Sequence, residues 1–283
     1  MRFLRFGPAG QEKPGYLDEG GQIRDLSAYL PDFTPEHLTC DALAELSARD
    51  LSAAPPVEGA PRLGPPLAWV PNFYCIGLNY ALHAAETGAE IPKEPLVFSK
   101  ASSSLAGPQD PLVIPRGSDK TDWEVELGVV IGRHAHHVSE AEALAHVAGY
   151  LTVNDVSERD FQKHRGGQWI KGKSAPGFGR VGPWLVSADA VADPQSLGVK
   201  LWVNDAICQD SRTSDMIFPV AHLISYMSRF FDLMPGDIIA TGTPSGVGAG
   251  MEPPRFLRPG DRVRLEVEGL GAQDYPVVAP QQA

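Results

Sequence analysis

From residue 73 onward the sequence falls into short apolar runs separated by glycine and proline, and this punctuation limits the chain to a fold built from sheets. The runs are FYCIGL (73–78), PLVFSK (95–100), DPLVIP (110–115), VELGVVIG (125–132), GYLTVND (149–155), GPWLVS (182–187), VKLWVND (199–205), GDIIATG (236–242) and DRVRLEVEG (261–269). Only two convincing helices interrupt these runs. One starts at Ser139, with Glu142 three residues on to close a capping box, and is expected to continue through ALAHVAGY (143–150). The other, 218–234, repeats Val220, Leu223, Ile224, Met227 and Phe231 at helical spacing until Pro-Gly-Asp stops it. The expected class is therefore α+β, a mixed β-sheet roll or sandwich.

Upstream, residues 1–52 hold the alternating RFLRF (2–6) and a helical candidate, CDALAELSARDLS (40–52). Six prolines and two glycines then fall within residues 53–71, the composition of an extended connector. This places a boundary near residue 68, with a small N-terminal α/β domain and connector over 1–68 and a larger domain over 69–283.

The run around residue 125 is unusual because DWEVELGVVIG (122–132) sets Glu124 and Glu126 two apart on a strand, hence on one face. A solvated polar face explains such a pair by itself. Asp155 changes the weighting, because it ends another strand; if the two strands are neighbours, three carboxylates converge. Such a cluster needs a cation, and hard oxygen ligands select Mg2+ or Mn2+, with Ca2+ as a further candidate, over Zn2+ or Cu2+. Three protein ligands leave coordination positions for water and substrate oxygens.

In NYALHAAETG (79–88), His83 and Glu86 fall at i and i+3 of a short helix, where a carboxylate fixes the imidazole tautomer and raises its basicity. A solvated surface pair is the plain alternative. RHAHHVS (133–139) lacks an acid at ligand spacing and reads as an exposed turn; His222 reads as structural. Cys40, Cys75 and Cys208 are odd in number and far apart, which argues against a disulfide framework, and Cys75 reads as a small core residue. A net charge of −11 argues against nucleic-acid or anionic-membrane partners. With no long apolar run, and an N-terminus broken by charge and proline, the expectation is a cytoplasmic protein.

Taken in order, CIGLNYALHAAETG, PLVFSKASSSLAGPQDPLVIP, DWEVELGVVIG, VNDVSERDFQ, WIKGKSAPGFGRVGPWLV and GDIIATGTPSGVG resemble the fumarylacetoacetate hydrolase family over about residues 70–275. The resemblance implies one divalent ion on Glu124, Glu126 and Asp155, chelated by the 2-oxo acid end of a small-molecule substrate. It implies that His83 and Glu86 sit on a lid and activate water, and that Lys173 contacts substrate oxygens. It further implies that Gln162 lines the substrate pocket and that Thr243 holds the substrate carboxylate. The activity implied is cleavage of a carbon–carbon bond in a 2,4-dioxo acid, with decarboxylation, keto-enol isomerisation or a non-catalytic metal-binding module as alternatives. RGSDKTDWEVELGVVIG and RGGQWIKGKS are most similar to the acylpyruvase and sugar-acid branch, whose members include 2,4-diketo-3-deoxy-L-fuconate hydrolase; a homodimer and a small appended N-terminal domain follow from that likeness. One motif departs from the family: where many relatives read KSxDTFxPxGP, this chain has KSAPGFGRVGP, with Pro176 for the aspartate and Arg180 for the second proline.

Overall fold

The strand Val125–Ile131 is buried along its whole length, which a strand achieves only when both faces of its sheet are covered. In the computed structural model, which describes residues 1–280, it lies inside a large mixed sheet. Val147–Asp155 and Ile238–Ala240 flank it, both antiparallel. Beyond Ile238–Ala240 come Phe73–Gly77 and Leu96–Lys100; beyond Val147–Asp155 comes Leu185–Ser187. A second sheet orders Ala206–Arg212, Gly198–Val203, Arg262–Val267, Gly271–Val278 and Leu112–Val113. Val125, Leu127, Val129 and Ile131 share a core with Val199, Leu201, Val263 and Leu265 of that second sheet, while Val130 shares a core with Phe33, Leu38 and Leu151 on the opposite side. The α+β sandwich expected from the sequence is the fold observed.

The N-terminal residues extend the central sheet. Arg2–Phe6 pairs antiparallel with Leu185–Ser187 and with Lys13–Leu17, which in turn pairs with Ile23–Asp25. Paired on both edges, RFLRF does not alternate as expected: Phe3, Leu4, Arg5 and Phe6 are all buried, and the Arg5 guanidinium is met by both oxygens of Asp32 at 2.7 and 2.9 Å. Across the boundary expected near residue 68 the central sheet is continuous, and Phe3, Leu67 and Val130 share one core.

Each of the nine expected strands has a counterpart, although 110–115 contributes only Leu112–Val113. The helices differ more. Glu142 does accept from the Ser139 hydroxyl at 2.6 Å, but the helix stops at Ala143, and Val147 already begins a strand. Sheet pairing of Tyr150 with Val129 and Val147 with Ile131 overrides the helical pattern of ALAHVAGY. The second helix spans Val220–Met227 and ends seven residues short of the expected stop; Phe231 packs on the core from the following turns. Two short helices, Arg159–His164 and Ile170–Lys173, were not expected.

Arg180, the departure from the family motif, is fully buried, with its guanidinium 3.7 Å from the Tyr275 ring centroid. It donates to the carbonyls of Gly177 at 3.4 Å, Gly107 at 3.2 Å, and Asp110, so one side chain ties the loop through Gly177 to the loop that holds Gly107 and Asp110. The Tyr275 hydroxyl accepts from Asn154 at 2.6 Å, and Asn154 Oδ1 accepts from the Glu124 backbone N–H at 2.9 Å, which links this loop to the acidic strand. Arg180→Ala should therefore lower unfolding free energy in urea by about 2–4 kcal/mol through lost packing and orphaned carbonyls. Arg180→Met, which refills the volume, should lower it by less; equal loss in both would locate the stabilisation in the hydrogen bonds alone.

Candidate active site

Strand register decides where the acids go. Val153 stands opposite Glu126 and Asn154 opposite Val125, and the Asp155 N–H continues the ladder to the Glu124 carbonyl at 2.9 Å. Residues opposite one another in an antiparallel pair share a face, so Glu124, Glu126 and Asp155 converge. All three are buried, and each offers an oxygen within 4.8 Å of the others.

Basic side chains surround this cluster. Lys173 Nζ donates to Glu124 Oε2 at 2.6 Å and to Asp155 Oδ2 at 2.7 Å. Lys100 donates to Asp155 and to the Val156 carbonyl at 3.2 Å. Arg159 spans Glu124 through Nη1 at 2.7 Å and Asp122 through Nε at 2.8 Å. Three buried cations thus face four buried carboxylates, and the deficit falls on Glu126. Its Oε2 accepts the Gly242 N–H at 2.8 Å, but among the described residues no lysine or arginine pairs with it. Burial, and then the charges of Asp155 and Glu124, push its carboxyl well above the usual range. Burial opposes ionisation of Glu124 too, but Lys173 and Arg159 outweigh it and hold that carboxyl below the usual range. Three buried oxygen donors with one anion unmatched fit a hard divalent ion.

The strand Phe73–Gly77 leads into the second constellation. After it Leu78 takes a positive φ of 55° and Asn79 is buried, its side chain bonded to Phe218 and to the Thr241 carbonyl at 2.7 Å. The helix Ala81–Glu86 then brings His83 Nδ1 to 2.8 Å from Glu86 Oε1, while Glu86 Oε2 accepts from the Gly246 N–H at 2.8 Å. With Nδ1 donating to the carboxylate, Nε2 is the basic nitrogen. Gly242 has φ +101°, and a Cβ there would lie 2.6 Å from that of Asn79, so only glycine lets its N–H reach Glu126 in this packing.

A cavity of about 150 Å3 joins the two groups; it is lined by His83, Glu124, Glu126, Gln162, Lys173 and Thr243 and walled by Ile76, Phe98 and Trp169. Asp155 and Glu86 stand behind the lining and hold Lys173 and His83. Thr243 is present, but its hydroxyl donates to the Val125 carbonyl at 2.9 Å and accepts from Gln209 at 2.8 Å, so its proton braces the acidic strand. Gln162 accepts from Arg159 Nη1 at 3.2 Å.

Lys100, Asp122 and Arg159 were missed in the sequence. Asp122 has the strand parity of Glu124 and Glu126, and Arg159 stands three before Gln162, a helical spacing that became readable once Glu158 was seen to cap a helix by accepting the Phe161 N–H at 2.7 Å. His134 and His136 are exposed and face Asp232 at 3.4 and 2.6 Å, as an exposed turn requires, and His222 meets Glu140 at 2.9 Å. No helix among the described residues is long and apolar enough to cross a membrane.

Residues 72–278 match the family described as fumarylacetoacetate (FAA) hydrolase C-terminal. A Burkholderia lata protein with the provisional name of hydrolase is 56% identical over 274 residues, covering 96% of this chain and 97% of that protein. The structure of fumarylacetoacetate hydrolase from Exiguobacterium antarcticum superposes with TM-score 0.87 at 34% identity, covering 99% of this chain and 100% of that one. Maleylpyruvate hydrolase from Sphingobium sp. SYK-6, solved with manganese(II) and pyruvate, superposes with TM-score 0.82 at 30% identity, with the same coverage.

Glu126→Gln removes the carboxyl that no cation pairs while keeping the acceptor for Gly242. It should leave the stability of metal-free protein in urea within about 1 kcal/mol of the parent and abolish the rise in melting temperature on adding Mg2+ or Mn2+. A variant that keeps the metal-induced rise would remove Glu126 from the ligand set.

Proposed function

The chain belongs to the fumarylacetoacetate hydrolase family, and we propose that it is a divalent-metal-dependent hydrolase that cleaves a 2,4-dioxo acid of the acylpyruvate type into pyruvate and a carboxylic acid. The observation that carries this reading is the meeting, in one cavity, of a carboxylate-held imidazole with Glu124 and Glu126, behind which Asp155 completes a cluster of three acids. Enolate stabilisation alone would serve a decarboxylase or a keto-enol isomerase; a poised base opposite the acids is what a water-consuming cleavage adds.

A divalent ion on Glu124, Glu126 and Asp155 would supply the positive charge that stabilises the 2-oxo acid oxygens as the departing fragment takes up an electron pair. Arg159 Nη2 is buried without a hydrogen-bond partner among the described residues, which suits it to the substrate carboxylate; Gln162 stands beside it. His83 Nε2 takes a proton from water, and the water oxygen bonds to the carbonyl carbon at position 4. The bond between C3 and C4 then breaks with its electron pair moving to C3. C4 leaves as a carboxylic acid, and protonation of C3 completes pyruvate. Lys173, already a shared donor to Glu124 and Asp155, holds the cluster while charge redistributes. The manganese and pyruvate found with the Sphingobium enzyme support both the ion class and the product.

The test is a panel of acylpyruvates, with oxaloacetate alongside, assayed after EDTA treatment with and without added Mg2+ or Mn2+. Turnover should appear only with metal. His83→Ala should lower the kcat of acylpyruvate cleavage by about 10²–10⁴-fold while leaving metal binding and any oxaloacetate decarboxylation intact. Parallel loss of both reactions would defeat the water-activating role.

A further inference from the structure

The strand that carries Glu124 and Glu126 loses one neighbour where the acids begin. Ile238–Ala240 pairs with it only from Val130 to Gly128, and the Thr241 N–H then reaches the Leu127 carbonyl at 3.0 Å. At Val125 side chains take the place of a strand: its N–H donates to Gln209 Oε1 at 3.0 Å, and its carbonyl accepts from the Thr243 hydroxyl at 2.9 Å. Gln209 Nε2 donates in turn to Thr243 Oγ1 and to the Pro244 carbonyl, both at 2.8 Å. Only one amide orientation satisfies this set, because the reversed one would set N–H against N–H at Val125 and carbonyl against carbonyl at Pro244.

Gln209 comes from the second sheet. In the strand Ala206–Arg212 it is buried, while Ala206, Ile207, Asp210 and Arg212 are exposed. Pairing with Gly198–Val203 shifts between Leu201 opposite Gln209 and Trp202 opposite Ile207, which leaves Cys208 as a bulge, and bulges re-aim the side chains beside them. The loop 242–246 is pressed against that bulge: Gly246 has φ +101°, and a Cβ there would collide with the Cys208 carbonyl oxygen. The same loop donates from Gly242 to Glu126 and from Gly246 to Glu86, each at 2.8 Å.

Resting on the reading of Glu124, Glu126 and Asp155 as the divalent-metal site of a hydrolase, we propose that Gln209 is a positioning residue for that site. It does not line the cavity. It stands in for the missing strand at Val125 and fixes the loop 242–246, so the second sheet sets where the acids lie relative to the His83–Glu86 pair.

Gln209→Met keeps the volume and removes the amide. Calorimetric titration with Mn2+, well below the melting temperature, should show binding about tenfold weaker than in the parent, and kcat for acylpyruvate cleavage should fall by about tenfold or more. Gln195→Met is the matched control, since the Gln195 amide joins the Thr213 carbonyl at 2.7 Å and the Val220 N–H at 2.8 Å instead. It should lower the melting temperature comparably yet leave the Mn2+ affinity within about twofold of the parent. Should Gln209→Met not fold, Gln209→Asn, one methylene too short to span Val125 and Pro244 together, carries the same expectation for Mn2+. Parent-like Mn2+ affinity in the folded Gln209 variant, or an equal loss in Gln195→Met, makes Gln209 a purely structural residue and leaves the hydrolase reading standing. A parent that neither binds Mn2+ nor turns over any acylpyruvate with it overturns that reading, and this inference with it.

Discussion

The buried charge imbalance around Glu126 is the constraint on which the rest of the site depends. Burying one carboxylate without a counter-charge is expensive, and here four lie close together with Lys100, Arg159 and Lys173 as the opposing charges. Every nearby element contributes to making that arrangement tolerable. The strand Leu96–Lys100 ends on Asp155, the helix Ile170–Lys173 ends on Glu124 and Asp155, and the helix Arg159–His164 begins with the arginine that clamps Asp122 to Glu124. Among the described residues the backbone N–H of Gly242 is the hydrogen-bond donor to Glu126. A divalent ion would turn the local excess from negative to positive, which favours an anionic substrate over a neutral one. Cation binding and substrate-anion binding are then coupled by charge rather than by a conformational change.

The same economy of contacts connects the imidazole to the acids. Glu86 uses one oxygen to orient His83 and the other to accept from Gly246, so the helix Ala81–Glu86 is seated on the loop that begins with Gly242 and Thr243. Thr243 in turn donates to Val125, the residue between the two glutamates. Movement of Ala81–Glu86 away from the cavity would therefore cost the Gly246 hydrogen bond, and the seated helix is the state in which the His83 imidazole and the acids line one cavity.

Much of this was legible in the sequence because it depends on local parity. Two glutamates two apart on a strand, an aspartate ending another strand, and a histidine and glutamate at helical spacing are patterns that survive without knowledge of the fold. What was hidden depends on pairing between distant segments. Nothing near Lys100 announces that its strand lies beside Phe73–Gly77 and ends over Asp155, and nothing near Arg159 announces its reach to Asp122 and Glu124. The sheet also decided one helix against its own pattern, since ALAHVAGY follows the capping box of Ser139 and Glu142 yet gives Val147 onward to the central sheet. The N-terminal strand Arg2–Phe6 shows the opposite limit: its buried Arg5 could not be foreseen without Asp32. Strand partners in a sheet with so many non-local neighbours are set by the whole core, not by the segment.

Arg180 shows how a motif can change while the site it serves does not. Its guanidinium stacks on Tyr275, Tyr275 holds Asn154, and Asn154 receives the N–H of Glu124, so the substitution lies three contacts from the acidic cluster. None of those contacts opens into the cavity; Arg180 and Tyr275 are both fully buried on the side of the strand away from the acids. The parity of the strand makes this separation possible: Val125 and Asn154 project to the packing face, while Glu124, Glu126 and Asp155 project to the chemical one. A change on the packing face reaches the acids only through the backbone position of Glu124. On the proposed function, substrate choice would rest with the residues that line the cavity, while Arg180 bears on how the acidic strand is packed.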